Sequence, residues 1–203
     1  MLMVSGRGVG TLSLLAAVAA GTLLWGSSTS VAAATPTTQQ LKAGLLTVEN
    51  LPPGWSKSTA SSPTTSSCFS NPIWKVATTA KAQAAFQMNN SVPQLVEQLG
   101  SYRDAHTAYQ QVVANLNRCS TFSETVKGQK VSGTVSPVSN KRFGNESSSY
   151  TANLTVQGTS IGQEFVIARK GGTLAAVAVS DYGNVDAQLL NGFATTAIRN
   201  ISA

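Results

Sequence analysis

The stretch "SYTANLTVQGTSIGQEFVIARKGGTLAAVAVSD", Ser149 to Asp181, decides the fold. Tyr150, Ala152, Leu154 and Val156 alternate with Ser149, Thr151, Asn153, Thr155 and Gln157. That two-residue period belongs to a strand buried on one face. Gly158-Thr159-Ser160 turns the chain into "IGQEFVIARK", and Gly171-Gly172 turns it again into "TLAAVAVSD". Short glycine-bearing turns between apolar runs predict an antiparallel meander. Lys130 to Val138 adds a weaker strand ahead of it.

Downstream of the meander, Val185, Leu189, Phe193 and Ala197 recur at every fourth position. This predicts a final helix over 185–199 with Asn184 as its cap. Upstream, "SYRDAHTAYQQVVANLNRC" (Ser101 to Cys119) carries Tyr102, Ala105, Tyr109, Val112, Val113 and Leu116 as one apolar stripe. Ser101 with Asp104 makes a capping-box-like start. Earlier still, Ala80, Ala82, Ala84, Phe86 and Met88 alternate with Lys81, Gln83, Ala85 and Gln87. The alternation reads as a half-buried strand paired with Val92 to Leu99, while the alanine content keeps helix as the competing reading. Gln39 to Leu46 predicts a short helix, and Thr47 caps the turn "TVEN" that Pro52-Pro53 ends. The expected class is α+β: a curved antiparallel sheet with two amphipathic helices packed on one face, a two-layer sandwich preceded by a short N-terminal helix.

Residues 1–34 read as a secretory signal. Arg7 is their only charge, an apolar run extends from Val9 to Trp25, and Ala32-Ala33-Ala34 offers a small-residue cleavage site after Ala34. An uncleaved anchor is the alternative, since about 17 apolar residues approach a membrane span. No cysteine lies there to accept a lipid. The remaining residues, 35–203, form one domain that is secreted or lodged in the cell envelope, without a stable membrane span once the signal is cleaved. With Arg7 set aside, 13 Lys/Arg against 8 Asp/Glu leave a charge of +5. The basic residues are scattered, without the stripe that nucleic acid demands. Cys68 and Cys119 are the only cysteines. In an oxidising compartment they are expected to pair as a structural disulfide, worth roughly 4 kcal/mol by loop closure. With a single histidine in the chain, no metal site and no cofactor is expected.

The turn running into Leu51-Pro52-Pro53-Gly54-Trp55, the cysteine beyond it, the helix ending "VVANLNRC" and the meander followed by a helix together resemble one family. It is the PknH-like extracellular domain, the sensor domain of an actinobacterial (mycobacterial) serine/threonine kinase. The resemblance covers about Leu41 to Ile198. It implies an α+β fold, a cleft for ligand binding and no enzymatic activity. It makes "LPPGW" a structural corner in which Trp55 plugs the edge of the core. The chain departs from the family in having cysteines for one bridge rather than two, and in lacking a kinase domain.

No catalytic residue is assigned. His106 lacks an evident nucleophile and orienting acid, and no G-x-S-x-G elbow occurs. Glu146 and Glu164 are the carboxylate pair to weigh for glycoside hydrolysis. The polar strand faces are almost uncharged: Gln83, Gln87, Thr151, Asn153, Thr155 and Gln157, with Tyr182 as an aromatic rim. Amides and hydroxyls both donate and accept, which suits a neutral, hydroxyl-rich ligand such as an envelope glycan, with an envelope lipid or peptide as the other partners to consider; the plainer reading is the wet side of a half-exposed sheet. Two other classes stand beside the binding domain: a secreted structural or protein-interaction module, and a hydrolase acting through His106 or Glu164.

Overall fold

The computed structural model describes residues 35–59, 72–126 and 128–202. Residues 1–34 and Cys68 lie outside the described residues, and with them the signal segment and one half of the expected bridge. The N-terminal half holds α1 (Thr38–Gly44), β1 (Trp55–Lys57), β2 (Ala80–Met88), β3 (Gln94–Ser101) and α2 (Ala105–Asn117). There follow β4 (Thr121–Val126), β5 (Gln129–Val138), β6 (Glu146–Val156), β7 (Thr159–Lys170), β8 (Thr173–Tyr182) and α3 (Ala187–Asn200). All eight strands form one antiparallel sheet in the order β1-β2-β3-β8-β7-β6-β5-β4. The meander is thus β4 to β8, and the pairing of β3 with β8 joins it to the N-terminal strands. Ala80–Met88 is a strand, not a helix.

The expectation that both long helices share a face is corrected. Val166 and Ala168 of β7, with Ala175, Val177 and Val179 of β8, pack with Leu190, Phe193 and Ala197 of α3 and Leu41 of α1. The alternate residues Phe165, Ile167, Leu174 and Ala176 pack with Val112 and Leu116 of α2. Successive side chains on a strand point to opposite faces, so α2 covers one side of the sheet and α1 with α3 the other. The cause is compositional. "FVIA" and "LAAVAV" are apolar at every position, and a strand apolar on both faces needs cover on both.

The caps differ as well. Asp104, not Ser101, starts α2, accepting from the Thr107 N–H at 2.9 Å. Ser101 ends β3 instead, buried, with its hydroxyl 2.6 Å from that of Thr79. Asp186, two residues past Asn184, caps α3 through the Gln188 N–H at 2.8 Å.

The Leu45–Trp55 segment acts as the corner expected of it. The Asn50 side chain accepts from the Thr47 N–H at 3.0 Å, and Gly54 takes φ +95°, which glycine adopts without strain. Trp55 is buried and meets Phe193 edge-on at 5.2 Å, besides opening β1. Beneath this segment lies Glu97 of β3, 0% exposed. One carboxyl oxygen accepts from the Leu46 N–H at 2.6 Å, and the other has no partner. Burial pushes this carboxyl up to about 7, only partly opposed by the Leu46 bond.

Candidate functional site

The residues expected to form one polar surface do not. Cross-strand partners share a face. Gln83 pairs with Gln98, which pairs with Ala176, and Gln87 pairs with Gln94, which pairs with Ser180. Gln83, Gln87 and Tyr182 therefore lie on the α2 side, whereas Thr151, Asn153 and Thr155 alternate with buried Ala152 and Leu154 and face the other way. Gln157 sits in the β6–β7 turn at φ +50°. On the α2 side, Gln94, Gln98 and Gln163 join Gln83 and Gln87, an amide cluster visible only through register. Gln98 donates to Gln83 at 3.5 Å.

Glu146 and Glu164 also part. Glu146 pairs with Arg169 on the α2 side, and Glu164 pairs with Thr151 on the opposite side, so the two carboxylates cannot flank one bond. Glu146 instead meets His106, whose Nδ1 lies 3.0 Å from both carboxylate oxygens, and it pairs with the Arg169 guanidinium. The hydrogen bond from His106, then that from Arg169, hold the Glu146 carboxyl below its usual range. The Gln110 amide nitrogen lies 3.0 Å from His106 Nε2. Since an amide nitrogen only donates, Nε2 accepts and Nδ1–H donates to Glu146. The outer ring nitrogen thus meets an amide, not the hydroxyl or thiol of a nucleophile. Among the described residues no group of three or more His, Cys, Asp or Glu is placed to hold a metal ion.

The hollow that does bring polar groups together is a cleft of about 440 Å³ where α2 ends against β5 and β6. Its position follows from the strands. Pairing of β4 with β5 begins at Thr121 and Thr134, and the Val135 N–H goes to the Ser120 carbonyl at 3.1 Å. Beyond that point β5 has no neighbour on the β4 side, so Pro137, lacking an N–H, leaves no ladder bond unmade. The opening left there is floored by Leu116, Val135 and Tyr150, all buried, and rimmed by the loop Ser139–Lys141 and by Ser147–Ser149. Gly144 closes the loop at φ +60°, where a Cβ would collide with the Arg169 carbonyl. Tyr150 stacks on Phe165 at 5.2 Å and donates to Asn117 Oδ1 at 3.2 Å, while burial raises its phenol above its ordinary value. None of the seven residues expected from sequence lines this cleft. A second hollow of about 450 Å³ lies between Val76–Thr79 and the start of α2, but its one carboxylate, Asp104, is committed to capping the helix.

Among the described residues no helix is long and apolar enough to cross a membrane. No family model and no curated protein matches the chain. Among solved structures, the chain is similar to the crystal structure of the extracellular domain of PknH from Mycobacterium tuberculosis. At 13% identity and a TM-score of 0.58, over 82% of this chain and 97% of that one, the likeness is one of fold.

Proposed function

We propose that this chain is an exported, non-catalytic module that holds a small ligand of the cell envelope in the cleft at the end of α2. The cleft is the observation that carries the reading. A volume of about 440 Å³, an apolar floor and converging amide, hydroxyl and ammonium groups are what small-molecule sites require. The fold shared with a kinase extracellular domain supports a sensor-like role, and the composition of residues 1–34 supports export with cleavage after Ala34. A bridge between Cys119, just past α2, and Cys68 belongs to the same proposal, since it would tether the cleft wall in an oxidising compartment. The protein-interaction alternative has less behind it: among the described residues only Val138 and Tyr182 are large, apolar and exposed.

A thermal-shift screen against envelope lipids, glycans and muropeptides tests the reading, because a ligand bound only by the native state raises the melting temperature. Val138→Trp is the control. Val138 lines the cleft yet is 40% exposed, so a larger side chain fills the mouth without entering the core. A compound should stabilise the wild type and lose its effect in that variant. No shift across the panel, or shifts indifferent to Val138→Trp, would remove the proposal.

A further inference from the structure

The cleft's hydrogen-bond inventory narrows its ligand, on the reading that the cleft is a binding site. Asn117 Oδ1 already accepts from the Tyr150 hydroxyl at 3.2 Å. Asn140 Oδ1 accepts from the Lys141 N–H at 2.8 Å, and Ser147 Oγ from the Phe143 N–H at 2.9 Å. In each case the protein's own structure engages the acceptor and leaves the donor: the amide NH2 groups of Asn117 and Asn140 and the hydroxyl hydrogen of Ser147. Lys141 adds three more donors and the only formal charge among the lining residues, which include no carboxylate. Its ammonium lies 5.3 Å from the centroid of the buried Phe143 ring, a cation–π contact that holds the charge beside the loop.

We infer that the cleft selects a ligand bearing a single anionic, acceptor-rich head, a carboxylate or phosphate monoester, attached to an apolar body that lies over Leu116, Val135 and Val138. A cationic head would meet Lys141 with no counter-charge. A neutral hydroxyl would use the donors but gain nothing from the ammonium. Charge-assisted hydrogen bonds are roughly twice as strong as neutral ones, so the head should dominate discrimination while the floor supplies part of the affinity.

Three probes of eight carbons each separate the terms: octanoate, octanol and octylammonium, each titrated calorimetrically into the protein. Octyl phosphate in place of octanoate distinguishes a phosphate from a carboxylate head. Octanoate or octyl phosphate should bind about 10-fold or more tightly than octanol, as one charged hydrogen bond warrants; octylammonium should bind weakest. Lys141→Gln should erase that preference, and Asn140→Asp should weaken the anions selectively. Both positions are exposed, so the variants keep the fold. If octanol and the anions bind equally, and Val138→Trp abolishes both, the cleft remains a site and the anion inference is wrong. If no probe binds, the inference fails and the binding reading loses its support as well.

Discussion

Glu97 is the residue whose environment makes the sharpest demand on solution behaviour. Its carboxyl is buried with one oxygen bonded to Leu46 and the other unpartnered, and burial raises it to about 7 from an ordinary 4.5. No other charged group contributes to that shift. Between those two values the native state holds a proton that the unfolded chain has released. The stability tied to this proton is therefore complete below about pH 4.5 and is lost as pH rises through about 7. The full swing is about 3 kcal/mol. Glu97→Gln cannot ionise and keeps an acceptor for Leu46. Its stability relative to wild type should therefore improve by about that amount between pH 4 and pH 8 in denaturant titrations. A difference that stays flat across the range would mean that the carboxyl is not held as described. Nothing in the sequence marked Glu97. A lone acid in "QLVEQLG" reads as a solvent-facing strand residue until the Leu45–Trp55 segment is seen lying over it.

At the scale of elements, the strands were legible and the placement of the helices was not. Alternation in Ser149–Gln157 is enough to define most of β6, because half-buried strands write their period into the chain, whereas the alanines of Ala80–Met88 leave helix open beside strand until the pairing of β2 with β3 decides it. The final helix and α2 were equally plain from their apolar stripes. One polar face per strand is the usual pattern of an antiparallel sheet, and two strands here depart from it. "FVIA" and "LAAVAV" have no polar face, and that is the available signal for cover on both sides. The cap of α2 was missed because Ser101 and Asp104 both satisfy the local pattern, and only the register of β3 with β8, which reaches Ser101, decides between them. The three-layer arrangement makes a measurable claim. Phe193 belongs to the α3 core and Leu116 to the α2 core. Leu116→Ala should cost about 2–5 kcal/mol and Phe193→Ala about 3–5 kcal/mol. With no packing partners in common, the double variant should lose close to the sum, measured by chemical denaturation. A large departure from additivity would put both helices back on one shared core.

At the scale of the whole fold, the eight strands of the described residues hold the N-terminal segment and the meander together through β3 and β8, and the cleft opens where β4 falls short of the end of β5. That cleft could not be read from the chain. Its rim is a serine-rich loop without a motif, and its existence depends on where a neighbouring strand starts. Polarity alone points to the residues expected to bind ligand, and polarity cannot say which face of a sheet is open. Ligand should enter the cleft and no other surface. The direct measurement is amide chemical-shift mapping of the isotopically labelled protein on titration with octanoate. The account predicts saturable shifts concentrated at Asn117, Ser139–Lys141 and Ser147–Tyr150. Shifts concentrated at Gln83, Gln87 and Tyr182, or at Thr151, Asn153 and Thr155, would contradict it, as would a spectrum that does not change.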